Sequence, residues 1–228
     1  MHLILIILLI LAIIFGPQWW AKYVFKRYSK KQDHISGTGG ELARHLLDRF
    51  EMQHVAVELT EDKGDHYDPE DKVVRLSPNN YNDNSLTAVA VAAHEVGHAI
   101  QDHGHESKLA IRTKLVTLSN KTSRFGSIVM MVMPIALVVT RSPAAGFLFF
   151  LVGILSIAGS AIVHLITLPV EWDASFNKAL PILKEGYVRE ADMPAVEEIL
   201  KAAALTYVSV ALMSILNIWR WIALIFRR

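Results

Sequence analysis

Cysteine is absent from the 228 residues, which excludes disulfides and thiolate zinc ligands. An excess of charge is lacking too. The 23 Lys and Arg against 22 Asp and Glu leave a net charge of +1, no signature of polyanion binding, and no nucleic-acid-binding module can be found. Internal repeats and low-complexity tracts are also missing, and from Leu3 to Phe15 there is no polar side chain at all. What fills the chain instead is apolar: 52% hydrophobic residues and a mean hydropathy of +0.31 are high for a soluble enzyme and point to the lipid bilayer as a partner.

The apolar residues are clustered. The run from Leu3 continues through Gly16, Pro17, Gln18, Trp19 and Trp20, the roughly 20 residues a helix needs to cross a bilayer. No Lys or Arg precedes it and no small-residue cleavage site follows, so residues 1–21 are expected to be an uncleaved transmembrane anchor. A second apolar stretch, Phe125 to Thr140, is joined by Arg141-Ser142-Pro143 to a third, Ala144 to Leu168, which predicts a membrane hairpin over 125–168. The fourth, within 203–228, carries Asn217, Trp219, Arg220 and Trp221, so it either spans or ends in the interface. Lys22, Lys26, Arg27, Lys30 and Lys31 crowd the C-terminal flank of the anchor, which places residues 22–124 and 169–202 on the cytoplasmic side. Arg227 and Arg228, outside on this topology, run against the rule.

Residues 22–124 read as a small folded domain. Thr38-Gly39-Gly40 opens a helix from Glu41 to about Met52, Val55, Val57 and Leu59 alternate as a strand, and Val73 to Leu76 form a second extended segment after the Asp68-Pro69-Glu70-Asp71 turn. Ser85 is placed to cap a helix starting near Leu86. On that helix stands His94-Glu95-Val96-Gly97-His98. Positions i and i+4 share a helix face, so both imidazoles can ligate one Zn2+ ion while Glu95 stands beside its open coordination position as general base.

A catalytic zinc site normally takes three protein ligands. His103 and His105 lack the longer spacing in which a glycine turns the chain back to supply a third histidine. Glu171, just past the third apolar stretch and on the same side of the membrane, is the better candidate, since two His and a Glu are a known catalytic set. The rival account makes Glu171 an acid at a helix N-terminus. Asp173 is expected on another face, where it could orient a ligand histidine. His66 and Tyr67 are candidate donors to the oxyanion, competing with a plain turn over 65–71; if the adjoining strand is an exposed edge, it could bind an extended peptide by β addition. His164, inside an apolar stretch, is either functional or hydrogen-bonded to a neighbouring helix. Met130, Met131 and Met133 read as packing, and Lys184, Glu185, Arg189 and Glu190 as a solvated surface.

The segments Asp65-His66-Tyr67-Asp68-Pro69, Val73-Val74-Arg75-Leu76-Ser77, Ala92-Ala93-His94-Glu95-Val96-Gly97-His98-Ala99-Ile100-Gln101 and Glu171-Trp172-Asp173-Ala174-Ser175 together resemble the YugP-like neutral zinc metallopeptidases of bacterial membranes, over nearly the whole chain. That family is similar in turn to the HtpX-type membrane gluzincins, whose third ligand is a Glu followed four residues later by an Asp. Here that position is Ser175, so a role resting on the Asp does not transfer. The resemblance implies a protease of the bacterial plasma membrane that acts on a protein or peptide, with His94, His98 and Glu171 as ligands and Glu95 as base.

The expected fold is a mainly α membrane protein with a small α+β zincin-like catalytic domain and about four transmembrane helices. The expected function is zinc-dependent hydrolysis of peptide bonds. A catalytically inactive zinc-binding scaffold is the alternative; a metal transporter would need more ionisable residues in its spans than His164 and Arg220.

Overall fold

Residues 86–99 are rich in Ala, Val and Leu around the whole circumference of a helix, a pattern that is stable only when a helix is enclosed by other elements. In the structure, a computed structural model that describes residues 2–60 and 64–225, they form the first part of α4 (Leu86–His103), and every residue from Leu86 to Ala99 is buried. Side chains are described except at 2–10, 13, 14, 214, 215 and 217–225. Arg227 and Arg228, and the side chains of Asn217, Trp219, Arg220 and Trp221, thus lie outside the described residues.

The fold is mostly helical with one small sheet. In chain order come α1 (His2–Arg27), α2 (Gly39–Arg49), β1 (Ala56–Leu59), β2 (His66–Asp68), β3 (Val73–Leu76), α3 (Pro78–Asn82), α4, α5 (Ser107–Thr140) and α6 (Pro143–Trp172). A π-helical segment, Asp173–Ala179, then leads into α7 (Leu180–Lys184) and, after one turn of 3-10 helix, α8 (Met193–Ile225). The chain divides into two compact units, one of residues 18–110 and 169–206, the other of 1–17, 111–168 and 207–228.

In the first unit α2 starts at the expected place. The Thr38 hydroxyl accepts the Glu41 N–H and the Glu41 carboxylate accepts the Thr38 N–H, satisfying two donors that a helix N-terminus leaves unpaired. Ser85 caps α4 by accepting the Ala88 N–H at 3.1 Å. The sheet order is β1-β3-β2, with β1 parallel and β2 antiparallel to β3. One detail differs from the sequence reading: residues 66–68, read as part of a turn, form an edge strand. After β3, α3 carries Pro78 at its first position, where no N–H is needed. The core joins α2, β3, α4, α7 and α8 through Leu46, Leu47, Leu76, Val96, Leu183, Ile199 and Leu200.

In the second unit α5 and α6 form an antiparallel hairpin whose tip passes through Arg141, with φ of 49°. Their backbones approach closely: a Cβ on Gly126 would lie 2.7 Å from Ser156 Cβ and 2.9 Å from the Gly153 carbonyl, so only glycine fits. Among the described residues, α5 and the helix beginning at Pro143 are the two long and apolar enough to cross a membrane. Both expose large apolar side chains, among them Phe125, Ile128, Ile135, Phe147, Leu155 and Ile162, as lipid contact would require.

Candidate metal centre

One turn of α4 separates His94 from His98, and their rings meet edge to face with centroids 4.8 Å apart. Glu171, at the end of α6, brings Oε2 to 3.5 Å from His94 Nε2 and 3.2 Å from His98 Nε2. All three side chains are buried, and their ligand atoms lie within 4.8 Å of one another. Ligands around a tetrahedral zinc with bonds near 2.05 Å stand about 3.3 Å apart, so the carboxylate is at ligand spacing from both imidazoles.

The outward ring nitrogens fix which atoms face inward. Gln101, on α4 one turn beyond His98, donates its amide N–H groups to the Val170 carbonyl at 3.0 Å and to Asp173 Oδ2 at 2.8 Å. Its carbonyl oxygen therefore faces His98 Nδ1, 2.9 Å away, and that nitrogen must be the donor. Ser175 works the same way for His94. Its hydroxyl donates to the Leu200 carbonyl at 3.2 Å, and its oxygen accepts from His94 Nδ1 at 2.9 Å. With both Nδ1 atoms donating to their acceptors, each ring turns its Nε2 toward the Glu171 oxygen. With each Nε2 unprotonated, two lone pairs and an anionic oxygen would converge, an arrangement that a cation joins. The donor set fits zinc, with two nitrogens, one oxygen and an orienting bond behind each ring.

Two local features make this convergence possible. A Cβ on Gly97 would lie 2.7 Å from the Ala174 carbonyl oxygen, so the glycine within the motif lets α4 approach the π-helical segment directly. That segment also keeps Ser175 buried beneath His94; wide helical turns of this kind recur at functional sites.

Glu95 is held from the sheet. Its Oε2 accepts the backbone N–H of Tyr67, on edge strand β2, at 2.9 Å. Tyr67 is anchored in turn by its hydroxyl, which donates to Asp102 Oδ2 at 2.6 Å beside Lys72 Nζ at 2.5 Å. Burial and the Asp102 carboxylate push the Tyr67 phenol well above its ordinary pKa, so it stays a donor. His66 Nδ1 lies 2.9 Å from the Gly64 carbonyl. Neither side chain is brought to the three-ligand cluster, and Tyr67 meets the site through its main chain.

Asp173 takes an indirect position. It reaches His98 only through Gln101 and also accepts from Asn177 at 2.7 Å. Burial works against its charge, but these bonds, with Lys178 and Lys108 nearby, hold it below the usual carboxylate range. His103 and His105 are exposed and stand outside the cluster, and His164 belongs to the other unit. The sequence reading missed the roles of Gln101 and Ser175, although helical spacing of three and four residues from His98 and Glu171 was a usable signal. Nothing in the sequence marked the Tyr67 main-chain bond.

Comparison with known proteins agrees with this chemistry. The family described as "Putative neutral zinc metallopeptidase" matches residues 3–226. The "Putative membrane protease YugP" of Bacillus subtilis (strain 168) is 35% identical over 213 residues, which cover 91% of each chain. No solved structure matches. With nearly its full length matched, the chain belongs to this neutral zinc metallopeptidase family.

Proposed function

We propose that this protein is a multi-pass membrane zinc endopeptidase that hydrolyses peptide bonds, with His94, His98 and Glu171 as zinc ligands and Glu95 as general base. The observation that carries the reading is the convergence of two imidazole Nε2 atoms and one carboxylate oxygen within 4.8 Å of one another, one residue from a second, separately held carboxylate. Bound there, zinc would supply Lewis acidity, polarising the scissile carbonyl and making a water easier to deprotonate. Glu95 does the proton work. The Tyr67 N–H fixes one of its oxygens, and as a carboxylate Glu95 would accept a proton from water and deliver it to the leaving nitrogen.

The proposed topology has four spans, from α1, α5, α6 and α8. The cations after the first span put the catalytic body on the cytoplasmic face of the plasma membrane, and α6 carries the third ligand out of the bilayer at its end. The family and the membrane protease that the chain resembles support a protein or peptide substrate.

The test uses purified full-length protein and its Glu95→Gln variant, incubated with a mixture of unfolded proteins with and without a zinc chelator. Wild type cleaves, chelation stops it, and the variant keeps its zinc while losing at least about a hundredfold in rate. Equal cleavage by both proteins sinks the assignment of Glu95; zinc binding with no cleavage by either favours the scaffold.

A further inference from the structure

Tyr67 joins β2 to α4 at two heights. Its N–H donates to Glu95 Oε2 at 2.9 Å, and its phenol donates to Asp102 Oδ2 at 2.6 Å. Glu95 and Asp102 are seven residues apart on α4, so they share a helix face with two turns, about 10.5 Å of axis, between them. One buried residue of the edge strand thus spans both turns.

A second residue of the same hairpin ends on the same carboxylate oxygen. Lys72, which closes the turn between β2 and β3, has φ of 53°, a left-handed conformation that a lysine rarely adopts, and its Nζ lies 2.5 Å from Asp102 Oδ2. Asp102 therefore holds both the strand and the turn that follows it. Other side-chain bonds of this hairpin run elsewhere: Asp65 accepts from Ser77 and Asn80, and Asp68 accepts from Arg75. Those bonds tie it to β3 and α3 and leave its seat on α4 open. That seat matters, because β2 is three residues long and has one strand neighbour among the described residues, so its own ladder places it weakly.

We propose that Asp102 is a positioning residue for the catalytic base: by accepting the Tyr67 phenol and the Lys72 ammonium, it locks β2 onto α4 with the Tyr67 N–H presented to Glu95. This role rests on the reading of Glu95 as general base, and it adds that the base is aimed from two turns away on its own helix. Both bonds are made to a carboxylate, which strengthens them over bonds between neutral groups. The Lys72–Asp102 pair is partly exposed, and pairs of that kind add little to global stability. What it fixes is a position, and misplacing a reacting group by about 1 Å costs up to about a hundredfold in rate.

The test measures kcat and KM of the full-length protein on fluorescently labelled casein, an unfolded protein, together with zinc content and amide hydrogen exchange over residues 65–69. Tyr67→Phe and Asp102→Ala each lower kcat about tenfold, with KM and zinc content within about twofold of wild type. Both raise deuterium uptake at 65–69 while α4 keeps its protection. Asp102→Asn, which still offers the phenol an acceptor oxygen, recovers most of kcat. The double variant is no slower than the slower single one, because both substitutions remove the same bond. In a Glu95→Gln background Asp102→Ala leaves the residual rate unchanged, whereas a merely structural role lowers it again. Glu197→Ala, which breaks a partly exposed pair with Lys184, keeps the wild-type kcat. Wild-type kcat in Tyr67→Phe and Asp102→Ala overturns the role, as does a fall that follows zinc loss or persists in the Glu95→Gln background. Should Asp102→Ala fail to fold, Tyr67→Phe, which removes a single oxygen, takes its place in each comparison. Wild type without Glu95-dependent cleavage overturns the protease reading and this role with it; Glu95-dependent cleavage indifferent to Asp102 overturns this role alone.

Discussion

His94, His98 and His164 are all buried, but the two units treat them in opposite ways. At the candidate metal centre each ring has one nitrogen committed to a neutral acceptor, Ser175 or Gln101, and the other aimed at Glu171. His164 sits in a unit with no carboxylate, its Nδ1 without a partner among the described residues and its ring against Tyr207. Burial by itself therefore says little about what a histidine binds. What differs is the partner each ring nitrogen meets: at the candidate metal centre one nitrogen of each ring meets a neutral acceptor and the other a carboxylate oxygen, whereas Nδ1 of His164 meets no hydrogen-bond partner among the described residues.

The sharpest way to break this contrast is to remove the anion from the first site. Glu171→Ala leaves two imidazoles and should abolish stoichiometric zinc binding, measured by metal analysis after dialysis, whereas His164→Leu should leave zinc content at the wild-type level. Loss of zinc in His164→Leu would mean that the two buried environments are not independent.

A finer test concerns the groups behind the rings. Gln101→Leu and Ser175→Ala keep all three ligands but free each imidazole to rotate and to shift its proton, and such changes typically weaken metal binding by about 10- to 100-fold. Competition against a chelator reads this directly, and the spectrum of a cobalt-substituted sample reports whether ligand geometry is disturbed. Ser175→Thr, which retains the hydroxyl, should recover most of the affinity. A Ser175→Ala variant that binds zinc as tightly as wild type would show that the Leu200-Ser175-His94 chain only fills space.

The sequence disclosed this site unevenly, for physical reasons. The pairing of His94 with His98 was legible because i, i+4 spacing on one helix is a local property, and Glu171 as a candidate to join them because it follows directly on a long apolar run. The capping box at Thr38 and the Ser85 cap were legible on the same ground. Gln101 and Ser175 were within reach of helical spacing, but their partners lie about 70 to 80 residues away, beyond what periodicity can relate. Edge strand β2 was hidden for another reason. Asp65 to Asp71 carries the composition of a turn, and three residues pair with β3 only because tertiary contacts override that preference.

That strand also offers the mildest test of the contrast, because only one unit holds acids whose protonation can matter. Asp68, at the end of β2, lies 3.0 Å from an Arg75 nitrogen and accepts the N–H groups of Glu70 and Asp71. Burial opposes its charge, but these bonds win and hold its carboxyl below the usual range. A carboxylate with a depressed folded pKa stabilises the protein fully above its unfolded pKa, about 3.9, and ceases to do so as the pH falls through the folded value. Because the pair is partly exposed, its contribution should be modest, about 1 kcal/mol. Thermal melts of wild type and Asp68→Asn should therefore differ by a few degrees from pH 5 to 8 and converge below about pH 4. Since β2 also carries the N–H that holds Glu95, the variant should lose some activity at neutral pH with its zinc content intact. A melting gap that persists unchanged in acid would mean that Asp68 acts through the shape of the turn, through bonds an amide can still make, and not through its charge.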